Sequence, residues 1–102
     1  MKKYISITAN TGITKTIRVD NIRFVRQWNA NFIRLTYNRY DESPQVDEVR
    51  IYVSEDDNTY KAVKDSFINA LIKVLNSKTL VTDFKFKKPN GDEYVVVNIN
   101  QV

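Results

Sequence analysis

Residues 46–75 read VDEVRIYVSEDDNTYKAVKDSFINALIKVL, and the hydrophobic period changes inside them. From Val46 to Val53 the chain alternates. Val49, Ile51 and Val53 face one way, and Glu48, Arg50 and Tyr52 the other, as in a strand. Past Ser54 the apolar residues are Val63, Phe67, Ala70, Leu71, Val74 and Leu75. Steps of three and four place them on one stripe of a helix. Tyr60, Ile68 and Ile72 widen the stripe, while Lys61, Lys64, Asp65, Asn69 and Lys73 hold the wet side. Ser54 with Asp57 resembles a capping box, although Glu or Gln is the usual third partner. Glu55, Asp56 and Asp57 also suit the positive end of a helix. Asn76-Ser77-Lys78 ends the pattern.

Upstream of this switch the period is two throughout. Ile5 and Ile7 oppose Tyr4, Ser6 and Thr8. Asn10-Thr11-Gly12 reads as a turn. Ile13, Lys15, Ile17 and Val19 then alternate with Thr14, Thr16 and Arg18. Asp20-Asn21 breaks the run, and residues 22–28 resume it. There Phe24 and Trp28 lie opposite Arg23, Val25 and Gln27, which directs Phe24 to the core. Residues 32–40 form a long strand with Ile33, Leu35 and Tyr37 inward, and a loop at 41–45 comes next.

Downstream, Leu80, Thr82, Phe84 and Phe86 alternate with Val81, Asp83, Lys85 and Lys87. Residues 88–92 turn, with Gly91 free to take positive φ. Residues 94–99 are the last strand. The order is five strands, a helix and two strands, and successive short turns imply antiparallel pairing. The expectation is a single α+β domain over residues 1–102. It has a mainly antiparallel sheet of about seven strands, with one long amphipathic helix (about residues 57–76) packed on one face.

Composition narrows the chemistry. The 102 residues suffice for one core. Apolar content of 42%, with Trp28, six Tyr and five Phe, argues for a folded chain. Cysteine and histidine are both absent, which removes thiol nucleophiles, disulfides, haem, iron–sulfur clusters and ordinary zinc sites. It also removes the commonest general base. Phosphate loops, dinucleotide fingerprints and nucleophile elbows are missing. The expectation is a protein that is not an enzyme, with no catalytic residues, no cofactor, no metal and no small-molecule substrate. Neither an apolar run of membrane-spanning length nor one of signal-peptide length occurs, so synthesis and retention in a cytoplasm are expected.

Charge is segregated along the chain. Residues 1–40 hold eight Lys or Arg and one acid; residues 41–60 hold seven acids and only Arg50; residues 61–102 hold seven bases and four acids. Either the blocks neutralise each other inside one fold, or they serve contacts between molecules.

Few constellations carry chemistry. Glu55, Asp56 and Asp57 lack the spacing and turn of a calcium or magnesium loop, and helix capping accounts for them. Asp47 and Glu48 point to opposite faces of their strand and cannot act as a catalytic pair. The stretches Arg23-Phe24-Val25-Arg26-Gln27-Trp28 and Arg34-Leu35-Thr36-Tyr37-Asn38-Arg39-Tyr40 interleave bases with rings. Single-stranded nucleic acid binds such surfaces by stacking and phosphate contacts. Arg23, Arg26, Trp28, Arg34, Tyr37 and Arg39 are the candidates for that reading. Phe84-Lys85-Phe86-Lys87-Lys88 reads instead as an edge strand guarded by lysines.

These residues carry two resemblances. The strand ending in Arg39-Tyr40-Asp41-Glu42, the strand Val49-Arg50-Ile51-Tyr52-Val53 and the acid-led helix are similar in order to the whirly-type single-stranded-DNA-binding coactivators. The basic residues those proteins carry before the last strand are replaced here by Asp47 and Glu48. Over more of the chain, Ile17-Arg18-Val19-Asp20-Asn21-Ile22-Arg23-Phe24-Val25, then Phe32-Ile33-Arg34-Leu35-Thr36-Tyr37, then residues 60–74 around Phe67-Ile68-Asn69-Ala70-Leu71-Ile72 look like small structural proteins of tailed bacteriophages. The Lys-, Asn- and Ile-rich composition fits AT-rich phages such as gut phages of Bacteroidetes. This second resemblance implies a virion component such as a capsid (head) auxiliary protein. Such a protein is made in the host cytoplasm and present in many copies beside other protein subunits, away from any membrane. Trp28, Arg39, Tyr40, Asp41 and Glu42 are then the expected interface. The alternative is the nucleic-acid-binding protein with its basic-aromatic sheet face.

Overall fold

A computed structural model describes residues 2–29, 31–38, 46–54 and 62–101. Among them the order is β1 (Tyr4–Thr8), β2 (Thr14–Arg18), a 3-10 turn (Val19–Asn21), β3 (Ile22–Asn29), β4 (Phe32–Asn38), β5 (Val46–Val53), α1 (Ala62–Leu75), β6 (Val81–Asp83) and β7 (Val96–Gln101). The class is α+β with mostly antiparallel pairing.

The expected single sheet is two. One has the strand order β2-β1-β6 and the other β3-β4-β5-β7. The physical reason is that alternation fixes which face a side chain takes and says nothing about which strand lies alongside. β1 pairs with β6 in parallel, Tyr4 against Val81, whereas the other strand pairs are antiparallel. Parallel neighbours need a long crossover, and here it contains most of the chain. Residues 84–96 stitch the two sheets together. Phe84 N donates to Ser6 O (2.9 Å), Tyr94 N to Phe86 O (2.9 Å), Asn10 N to Val96 O (2.8 Å) and Ser54 N to Val95 O (3.0 Å).

Both sheets turn their inner faces to one apolar core. Ile5, Ile7 and Ile17 come from the first; Ile33, Leu35, Tyr37, Val49, Ile51 and Val53 come from the second. α1 closes the core with Val63, Phe67, Leu71 and Val74. Phe67 is fully buried, its ring 4.8 Å from Phe84 and 5.3 Å from Phe86. Edge-to-face and tilted ring pairs of this kind add about 0.5–1.5 kcal/mol beyond area burial.

Both ends of α1 are held by distant side chains. Gln27 Oε1 on β3 accepts from Lys64 N (3.0 Å), which satisfies a first-turn amide. At the other end Lys3 Nζ donates to the carbonyls of Val74 (3.2 Å), Leu75 (2.6 Å) and Ser77. A cation there complements the negative end of the helix dipole. Residues 55–61, which include Asp57 of the expected cap and the start expected near 57, lie outside the described residues.

Other local expectations are corrected. Strict alternation directs Phe24 inward, yet it is 45% exposed. A register shift between Ile22 and Phe24 inserts Arg23 as an extra residue. Such a bulge flips the parity of the residues after it, so Val25 packs inward and Phe24 outward. Leu75 and Ile72, expected on the buried stripe, are about half exposed. Ile13 is also exposed, and the strand expected over 80–87 is regular only at β6.

Candidate binding surface

The outer face of the β3-β4-β5-β7 sheet carries the concentration of charge and rings. Register explains it. Ile33 pairs with Ile51 and Leu35 with Val49, all buried, so the residues between them point out. Arg34 therefore lies opposite Arg50, and on the other side Arg26 lies opposite Arg34. Three arginines form a row across three adjacent strands, continued by Asn100 on β7. Like charges directly opposite destabilise a sheet, so something must offset them.

Two things do. Glu48, paired with Thr36 on the same face, reaches both neighbours. Its Oε1 accepts from Arg34 Nη2 at 2.5 Å, and its Oε2 sits 3.6 Å from Arg50 Nε. The second distance is within ion-pair range but beyond a hydrogen bond. Both atoms of that second contact are buried and have no hydrogen-bond partner among the described residues. Aromatic rings supply the rest. The Arg26 guanidinium carbon lies 4.7 Å from the Phe24 ring centre, with that of Arg23 at 5.7 Å. Arg50 lies 5.7 Å from the ring of Phe32, which packs 5.0 Å from Tyr52. Rings below guanidinium groups favour the cation by about 0.5–1 kcal/mol at exposed sites.

The sequence-derived candidates divide between this surface and the rest of the molecule. Arg23, Arg26 and Arg34 are on β3 and β4 and belong to this surface. Tyr37 does not. It is 4% exposed in the core, and its hydroxyl donates to Gln101 Oε1 at 3.1 Å. Trp28 is on β3, with its side chain outside the described atoms. Arg39, Tyr40, Asp41 and Glu42 lie outside the described residues. Phe24, Phe32, Glu48, Arg50 and Tyr52 join the surface without being sequence-derived candidates for it. The signal that finds them is the pair of triplets Ile33-Arg34-Leu35 and Val49-Arg50-Ile51, because aligning the apolar residues also aligns the arginines.

Elsewhere, Arg18 holds Asp20 through two hydrogen bonds, Nε to Oδ1 at 2.5 Å and Nη2 to Oδ2 at 2.6 Å. This hydrogen bonding is the main cause that lowers the Asp20 carboxyl below the ordinary aspartate range, against a smaller upward push from desolvation. Among the described residues no three acidic side chains gather in a way that could hold a metal ion. No described helix is long and apolar enough to cross a membrane. Comparisons with protein-family models, with curated proteins and with solved structures found no match to this chain.

Proposed function

We propose that this chain is a non-enzymatic assembly protein that docks on neighbouring protein subunits through the outer face of the β3-β4-β5-β7 sheet. The reading extends to an auxiliary subunit of a phage capsid, for which the resemblance to small structural proteins of tailed phages is the support. The observation that carries docking is the row Arg26, Arg34 and Arg50 with Glu48 set between the last two. Arginine and aromatic residues are the types enriched at the centres of protein interfaces. A carboxylate in the middle of the row favours a protein partner, whose own mixed charges can pair with both signs, over a polyphosphate, which it repels.

A second reading is favoured by Phe24, Phe32 and Tyr52 sharing a face with the arginines. That combination also suits single-stranded nucleic acid, with bases on rings and phosphates on guanidinium groups. Titration with an oligonucleotide at several salt concentrations separates the two. Phosphate binding makes log affinity fall with log salt, at about −0.7 per phosphate contacted on a single strand. The assembly reading expects weak binding with little slope. It also expects the protein in purified particles, detectable by mass spectrometry; its absence there removes the capsid reading.

A further inference from the structure

A groove of about 590 Å³ separates α1 from residues 82–89. Ala70, Lys73 and Val74 form one wall, and Thr82 through Pro89 the other. Its lining carries Lys73, Lys85, Lys87 and Lys88 against the single acid Asp83, and Lys85 also lies 4.0 Å from Glu93. The Thr82 hydroxyl lies at this groove as a buried oxygen with no hydrogen-bond partner among the described residues.

The strand bordering the groove is also an edge. In the order β2-β1-β6, β6 has one neighbour among the described residues. In a parallel pair alternate residues bond the neighbour. Leu80 O accepts from Tyr4 N, and Phe84 N donates to Ser6 O. Val81 and Asp83 therefore direct their amide and carbonyl groups away from β1. Along this edge, Leu80 and Val81 at the start of β6 are each about half exposed or more.

We infer that this edge and groove take up an extended, acid-bearing segment of a partner protein, added as a further strand beside β6. The backbone groups of Val81 and Asp83 supply the ladder, and the exposed apolar side chains meet alternate residues of the incoming strand. The lysines select acidic residues at the positions between. Strand addition divides the work in this way, with main-chain bonds for affinity and side chains for specificity. Lysines flanking an edge also discourage uncontrolled pairing, and the same charges that reject a basic strand admit an acidic one. The inference rests on the assembly reading but uses a different surface, so substitutions at the sheet face and in the groove report separately.

The test uses two synthetic seven-residue peptides, one alternating valine with glutamate and the other valine with lysine, titrated into the full chain and followed by amide NMR. The acidic peptide is expected to bind at least about tenfold tighter than the basic one. It should also shift the Val81 and Asp83 amides and slow their hydrogen exchange. Lys87→Glu, on an exposed side chain, is expected to weaken acidic-peptide binding about tenfold with an unchanged melting temperature. Val81→Pro, which removes one free amide, is expected to weaken it without altering the charge. Equal binding of the two peptides overturns the inference, as do unmoved amides at 81 and 83. Concentration-dependent dimerisation of the full chain that Lys87→Glu abolishes would seat a second copy there and overturn the choice of partner. Arg34→Ala, on the sheet face, is expected to leave acidic-peptide binding as it is. Loss of acidic-peptide binding in Arg34→Ala would place the peptide on the sheet face and overturn the inference.

Discussion

Lys3 and Leu75 are joined by a hydrogen bond of 2.6 Å from the ammonium to the helix carbonyl, across 72 positions of sequence. The same ammonium reaches Val74 and Ser77, so one side chain satisfies the end of α1 and ties it to the residue that leads into β1. Lys3→Met keeps the aliphatic stem and removes the donor. The expected loss is about 1 kcal/mol, shrinking as salt is added, because the charge–dipole part is screened. Urea denaturation at low and high ionic strength measures it.

Phe67 is the centre of a ring cluster with Phe84 and Phe86. Truncation to Ala leaves a cavity beside the rings of Phe84 and Phe86. We expect Phe67→Ala to cost about 3–5 kcal/mol, a large fraction of the stability of a domain this size. Ile72→Ala removes an apolar side chain from the same helix, yet half of that residue is in water. Its expected cost is within about 0.5 kcal/mol. Equal losses from the two would contradict the side of α1 that faces the core.

Asp20 is bonded through both carboxylate oxygens to Arg18, and its carboxyl is held below the usual aspartate range. A depressed acid stabilises the fold above its unfolded value and loses that contribution as pH falls through the folded one. The stability difference between the native protein and Asp20→Asn is therefore expected to be constant from neutral to mildly acidic pH and to vanish in strong acid. With half of the side chain exposed, solvent screening keeps the difference small. Thermal melts across an acid series check it, and a difference that does not change with pH would show the pair to be absent.

Glu48 offers the sharpest discrimination between partners. Glu48→Gln keeps the shape, retains an acceptor for Arg34 and adds one positive charge to the face. Protein docking is expected to weaken, while affinity for an oligonucleotide is expected to rise by about threefold to tenfold at low salt. Unchanged affinity for both partners would remove this face from either role. Paired binding measurements on the native and substituted chains check it.

The element order is legible because each stretch has its own period, and the switch after Ser54 is unambiguous. Partnering is not. Nothing in Tyr4-Ile5-Ser6 announces Val81 as a neighbour, and three residues of β6 are too few for a pattern of their own. In β3, parity fails where a residue is added. Arg23 carries no glycine or proline signal, so the bulge that sends Phe24 outward leaves no mark. The arginine row is hidden for a related reason. Arg34 is legible as a surface base, but its alignment with Arg26 and Arg50 exists only once the strands are in register.

The pairing of Tyr4 with Val81 also sets a timetable. Translation at about 5–20 residues per second separates the two by some 77 positions, an interval of roughly 4–15 s at that speed. Throughout it the first hairpin waits with one flank unsatisfied, and the nascent chain is exposed to mispairing with its neighbours on the same message. A single gene copied many times at once would feel this most, since the concentration of waiting flanks grows with every ribosome engaged.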